Sequence, residues 1–396
     1  MKKIICSVFI AAGLFTSCSS DDDNGTNTPL NPTPDVYQFE RNGKSSVSYS
    51  GQTDRLMMGA ELGSALKDPA NTQAVLEGMF TNTGNHFGNE ALNSSSKNIR
   101  SKTAASKDYF SANTTESNVY KADFDTWIAN QVNEVFPNWN TTASPGVAGK
   151  IEEAGGKVRY VNAKGLEYDQ AFMKGLIGAL VTDQILNNYL SPAVLDEADN
   201  REQNDNELLA TDKNYTTMEH KWDEAFGYLY GTDNAANPQL GADSFLNKYL
   251  GRVDEDEDFS GIAESIYNAF IAGRAAIVNK DYELRDQQVA IIREKISMLI
   301  GIRAVYYLQA AKESLGTDPA AAFHDLSEAY GFIYSLRFTR MPGTETPYLS
   351  DVEVRDILSE LTKNNGFWDV TPATLDQTAN AIASKFNFTL EQAATN

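Results

Sequence analysis

The sequence predicts an all-α chain made of two related, duplicated helical bundles, with at most one small β-hairpin near residues 150–161. Three observations predict it. Apolar residues recur at helical spacing almost everywhere after residue 50, strand signals are scarce, and one helical segment occurs twice. The first copy reads His220-Lys-Trp-Asp-Glu224-Ala-Phe-Gly227-Tyr-Leu-Tyr230, and the second His324-Asp-Leu-Ser-Glu328-Ala-Tyr-Gly331-Phe-Ile-Tyr334. Five of the eleven positions are identical, and three more keep their chemical type. The chain has 3 His, and two of them fall at matched positions, which favours duplication over chance.

The elements follow in order. Leu56, Ala60, Gly63 and Leu66 share one face of a helix that stops near Asp68-Pro69. Phe124, Trp127, Ile128 and Val135 form the next stripe, and Met173, Leu176, Ile177 and Leu180 lie within a helix of about 166–190. Further helices are expected at about 259–279, 282–314, 319–338 and 350–362. Asp68-Pro69, Ser191-Pro192, Asp318-Pro319 and Thr371-Pro372 each pair a capping oxygen with a preset φ, the signature of a helix start. The best strand signal runs from Lys150 to Val161 and turns at Gly155-Gly156. A polar loop from Asp196 to Lys213 sits in the first half, whereas the second half turns at Gly316-Thr317-Asp318. The acidic run Asp254–Asp258 precedes Phe259, where it complements a helix dipole and lacks the spacing of a calcium loop.

The N-terminus sets the compartment. Met1-Lys2-Lys3 followed by an apolar run to Phe15 is too short to span a bilayer and has the form of a secretory leader. Leu14-Phe-Thr-Ser-Cys18 resembles a bacterial lipoprotein signal, so residues 1–17 are expected to be removed and Cys18 lipidated. The acidic run Ser19-Ser20-Asp21-Asp22-Asp23 resembles the signal that sends Bacteroidota-type lipoproteins to the outer face of the outer membrane. Residues 18–37, with Pro29, Pro32 and Pro34 among polar residues, read as a disordered tether. Residues 38–390 form the all-α domain, in halves of about 38–250 and 251–390. Cys6 and Cys18 are the only cysteines, so the mature chain has no internal disulfide and depends on its core.

A net charge of −21, from 54 acidic and 33 basic residues, makes nucleic acid a poor partner. The likelier gain is solubility at a surface.

On a helix, residues i and i+4 lie roughly 6 Å apart on one face. His220 can therefore point with Glu224, and His324 with Glu328, and imidazole with carboxylate suits iron, zinc or manganese. If the copies face each other, four ligands converge. The same pair also serves as a plain helix-stabilising hydrogen bond, and aromatic stripes usually pack cores. Gly227 and Gly331 leave room on that face for a close helix, and Tyr230 and Tyr334 read as core residues whose hydroxyls find partners. Arg274 and Arg303, set in apolar helices, read as buried ion-pair partners, and His86 as exposed. No His-Glu-x-x-His, Gly-x-Ser-x-Gly or P-loop pattern is present, and no catalytic residue is assigned.

The lipobox, Ser48-Tyr-Ser-Gly-Gln-Thr-Asp-Arg55 and Glu219-His220-Lys-Trp-Asp-Glu224-Ala-Phe-Gly227-Tyr resemble a family of Bacteroidota lipoproteins similar to imelysin-like proteins, over roughly residues 37–390. The resemblance implies paired helical bundles, a link to iron acquisition and, for some members, peptidase activity. The imelysin signature is Gly-x-His-x-x-Glu. Here Met218 replaces its glycine, the glutamate stands at i+4, and Asp223 and Ser327 hold i+3. The leading expectation is a surface-exposed, lipid-anchored, non-catalytic binding protein for iron or haem acquisition. Its divalent metal, iron or zinc, would lie at His220, Glu224, His324 and Glu328, and its partner would be an outer-membrane transporter. The alternatives are a metal-dependent peptidase and a glycan- or peptide-binding lipoprotein, with Trp139 and Trp368 as aromatic candidates.

Overall fold

Helices begin where capping residues meet apolar periodicity. The computed structural model describes residues Asn31–Thr395; the leader, Cys18 and the first part of the tether lie outside the described residues. A hairpin of β1 (Glu40–Arg41) and β2 (Lys44–Ser45) comes first, turning through Asn42 and Gly43, both at positive φ. This second hairpin adds to the expected one, and its sequence signal is the Asn-Gly pair.

α1 (Ser50–Ala65) buries Leu56, Met58 and Leu62. Thr72 caps α2 (Gln73–Thr81), Asn89 caps α3 (Glu90–Ser94), Ser106 caps α4 (Lys107–Phe110) and Thr114 caps α5 (Thr115–Asn130). No helix starts at Asp68-Pro69. The Asp68 carboxylate instead accepts from the Ala70 N–H at 3.0 Å, closing a turn after α1. The expected hairpin forms as β3 (Gly149–Glu152) against β4 (Val158–Val161).

The helix expected over 166–190 is α6 (Tyr168–Leu176), which continues through wider π turns at Ile177–Thr182 and Ile185–Tyr189. Outside partners explain the widening. Gly178 N–H donates to Ser335 Oγ at 3.0 Å, and the Ala179 carbonyl accepts from Ala104 N–H at 2.6 Å, so neither group is confined to the helical ladder. Short α7 (Pro192–Leu195) and α8 (Asn200–Asp205) lead to α9 (Thr217–Tyr230), which carries the first repeated segment.

α10 (Leu246–Asp254) precedes α11 (Ile262–Val278), whose first turn is capped from the acidic run: Asp254 accepts from Gly261 N–H and Ala263 N–H at 3.0 and 2.9 Å. α12 (Tyr282–Ser314) is the central helix. It buries Ile292, Ile296, Leu299, Ile300, Val305 and Leu308 and packs against α11 and α13 (Pro319–Ser335), the second repeated segment. α14 (Asp351–Leu361), α15 (Pro372–Ala383) and α16 (Leu390–Ala394) complete an all-α fold, with α15 and α16 laid on α12.

Residues from Asn31 onward cluster as one compact unit, and the two halves read from the sequence interlock. α13 from the second half packs on α6 from the first. The last residues of the expected tether belong to this body. Tyr37 is 1% exposed and stacks on Phe226 with ring centroids 3.6 Å apart, and Asn31 exchanges two hydrogen bonds with Asn279. An aromatic ring gains more by burial than an isolated tether residue loses in freedom. Among the described residues, no helix is long and apolar enough to cross a membrane.

Candidate functional site

The two repeated segments are packed alike and used differently. A Cβ on Gly227 would collide with Tyr49 at the start of α1, and a Cβ on Gly331 would collide with Lys174 on α6, so each glycine admits a close helix. The residue three after each histidine then takes a backbone N–H from that neighbour. Asp223 accepts from Ser48 N–H at 3.0 Å, and Ser327 Oγ accepts from Glu167 N–H at 2.9 Å. Each histidine meets the same residue: His220 Nδ1 lies 3.0 Å from the Ser48 carbonyl, and His324 Nδ1 lies 2.9 Å from the Glu167 carboxylate.

In the first copy these contacts build structure. Thr216 and Glu219 form a reciprocal capping box, and Glu219 also receives Arg41 through two bonds and Arg274 at 3.0 Å. Burial opposes the Glu219 charge, yet Arg274 and Arg41 hold its carboxyl below the ordinary value. Asp223 accepts from Arg274 Nε at 3.0 Å and from the Tyr37 hydroxyl at 2.7 Å; full burial outweighs these and pushes it up to about 6. Arg274 is thus the buried ion-pair partner the sequence suggested.

His220 donates from Nδ1 to a carbonyl, and its ring stacks on Tyr215 with centroids 4.6 Å apart. Burial lowers its pKa. Its Nε2 stands 3.9 Å from Glu224, which Gln52 and Lys221 already engage at 3.1 and 3.3 Å.

The second copy opens on a cleft of about 400 Å³. His324 Nε2 lies 3.5 Å from Glu328 Oε1, and Lys174 Nζ lies 3.3 Å from the same oxygen. Burial would raise Glu328, but Lys174 and His324 hold it down at about 2. Asp169, beside Glu167, is raised to about 6 by burial first and by its neighbour's charge second. The far wall is aromatic: Trp139 and Tyr160 stack with centroids 3.4 Å apart and planes 7° from parallel. Gln131, 1% exposed, lines the floor. Its amide N–H₂ donates to the Leu66 carbonyl at 2.8 Å, while among the described residues its Oε1 has no hydrogen-bond partner.

The structure therefore brings His324 and Glu328 together with Glu167, Asp169 and Lys174, and sets His220 and Glu224, on α9, against Ser48 and Gln52 at the start of α1. Four ligands do not converge: among the described residues, no group of three or more His, Cys, Asp or Glu is placed to hold a metal. The physical reason lies in the partners. Each pair is spent on its own neighbouring helix, and the Lys174 ammonium occupies the Glu328 oxygen that a cation would need.

Glu167, Asp169 and Gln131 carry no sequence signal that separates them from ordinary polar positions. Lys174 does, as a lysine within the apolar run Phe172-Met173-Lys174-Gly175-Leu176. Of the remaining candidates, Trp368 packs edge-on against Phe323 at 4.8 Å, His86 is exposed, and Arg303 lies over the Tyr306 ring at 4.0 Å. Tyr334 donates to Asp123 at 2.9 Å as expected, whereas the buried Tyr230 hydroxyl has no partner among the described residues.

A second cavity, of about 310 Å³, lies under the N-terminal segment beside Arg41, Glu219 and Asn279. There Arg41 pairs with Glu219, whereas the cleft at His324 holds one of the two pairs the sequence singled out and is the candidate site.

No curated protein and no solved structure matches the chain. Residues 34–389, nearly the whole of the described body and both repeated segments with the cleft, match one family, and the chain belongs to it: Domain of unknown function (DUF4856).

Proposed function

We propose that this chain is a lipid-anchored binding protein of the outer cell surface, without catalysis of its own, whose ligand site is the cleft beside His324 and Glu328. The lipobox at Cys18 supports the anchor. One observation carries the site: a cleft of about 400 Å³ joins buried charged groups, an unsatisfied acceptor at Gln131 and the Trp139–Tyr160 wall. That size and mixture fall within the range of small-molecule sites, roughly 300–1,000 Å³ with a few placed polar groups. Binding suits the geometry better than turnover. Glu328 is held ionised by a fixed lysine and is not poised to donate a proton.

The aromatic wall favours the glycan reading among the alternatives, because flat rings with neighbouring polar groups suit a sugar face. Tryptophan fluorescence tests it. Titration of the purified protein with neutral sugars, sugar acids, short peptides, haem and zinc should give a saturable change with at least one sugar, lost in Trp139→Phe. A flat response to every compound rejects the cleft as a ligand site. Metal content measured in the wild type and in a His220→Ala/His324→Ala variant should be negligible in both; stoichiometric metal lost in the variant would restore the iron reading.

A further inference from the structure

Lys67, Lys157 and Lys248 come from the end of α1, the turn of the β3–β4 hairpin and α10, yet all three line the same cleft. In a chain of net charge −21, this gathering is a local inversion of sign. The cations nearest the carboxylates are committed, Lys174 to Glu328 and Arg159 to Glu153. Lys67, Lys157 and Lys248 form no ion pair among the described residues, and all three are exposed at the opening. Burial and the like charge of Lys174 lower the Lys248 pKa, a penalty that an anion in the cleft would relieve.

Gln131 lines the same cleft and is fixed by its bond to Leu66. The Trp139–Tyr160 pair borders the same space.

We propose that the ligand is an acidic saccharide, a sugar whose ring carries hydroxyls and a carboxylate in the manner of a uronic acid, with the carboxylate taken by Lys67, Lys157 and Lys248 and the ring borne by the Trp139–Tyr160 wall. The assignment rests on the binding role proposed above for this cleft. Lysine suits it as a point charge at a wet opening, whereas the aromatic wall reads the ring. The acidic chain as a whole repels anions, so the lysines at this opening are what would draw such a ligand in.

Calorimetric titration of the whole protein separates the two claims. Galacturonic acid and its trimer should bind more tightly than galactose and its trimer, with affinity falling as salt rises. Lys67→Ala/Lys248→Ala should weaken the acid by roughly tenfold or more, on the scale of lost charge-assisted contacts, and leave the neutral sugar unchanged. Both lysines are exposed, so the melting temperature should not move. Trp139→Ala should weaken acid and neutral sugar alike. Equal affinity for acid and neutral sugar, with no effect of the lysine variant, overturns the acidic assignment while sparing the cleft. Inorganic sulfate competing as well as galacturonate would overturn the saccharide part. No heat with any sugar removes the cleft itself.

Discussion

Lys174 decides what the second His–Glu pair can do. Its ammonium holds Glu328 ionised in a buried place, where the carboxyl would otherwise rise. The folded pKa, about 2, lies below the ordinary 4.5, so the carboxylate contributes stability above pH 4.5 that is lost as pH falls through 4.5 toward 2. Lys174→Met is expected to shrink this acid-side loss, seen as a shallower fall of urea midpoint with decreasing pH than in the wild type. It should also lower stability at neutral pH, because Glu328 stays buried without its cation. Arg274 presents the same physics without a cleft. Arg274→Ala leaves the buried Asp223 without its cation, while Glu219 keeps Arg41, and is expected to cost roughly 3–5 kcal/mol in denaturant unfolding. A change below about 1 kcal/mol would mean that neither carboxylate depends on it.

At the scale of elements, the repeat is a packing device before it is a site. The glycine seven residues after each histidine admits α1 in one copy and α6 in the other. Gly227→Ala and Gly331→Ala should each lower stability by roughly 1–3 kcal/mol through overpacking, measured by thermal unfolding. Gly331→Ala should also disturb the cleft, because the atom it displaces is Lys174 Cβ, whereas Gly227→Ala should leave ligand binding intact. The π turns after α6 follow the same logic. Ser335 and Ala104 take backbone groups of Gly178 and Ala179, so the helix widens where other elements bond to it.

Over the whole molecule, the N-terminal segment closes the fold. Tyr37 covers Phe226 and donates to Asp223, and Arg41 reaches Glu219. A chain beginning at Gln38 should therefore melt well below one beginning at Asn31, on the scale of roughly 3–5 kcal/mol for losing a buried aromatic ring. Equal melting temperatures would show that the segment only rests on the body. The long α12 explains why the halves do not separate, since it serves as the core of the second repeat and as the floor for α11, α15 and α16.

Local patterns sufficed for the helices. The span of α12, the Pro-marked starts of α7, α13 and α15, the hairpin at 150–161 and the existence of a repeat are all legible, because capping, periodicity and turn chemistry act over a few residues. The sequence also pointed to His324 and Glu328 through their rarity and spacing. Tertiary structure alone decided what faces them. Glu167 and Lys174 reach His324 and Glu328 across more than 150 residues of chain, and Lys67, Lys157 and Lys248 share a cleft only because α1, the hairpin and α10 meet there. Two segments nearly alike in sequence thus came to different ends: one histidine bonds a main-chain carbonyl, the other a carboxylate within a cleft that Lys67, Lys157 and Lys248 also line. The reason is physical. A side chain's chemistry depends on its dielectric and its nearest charges, and those are supplied by whichever distant element the fold brings alongside.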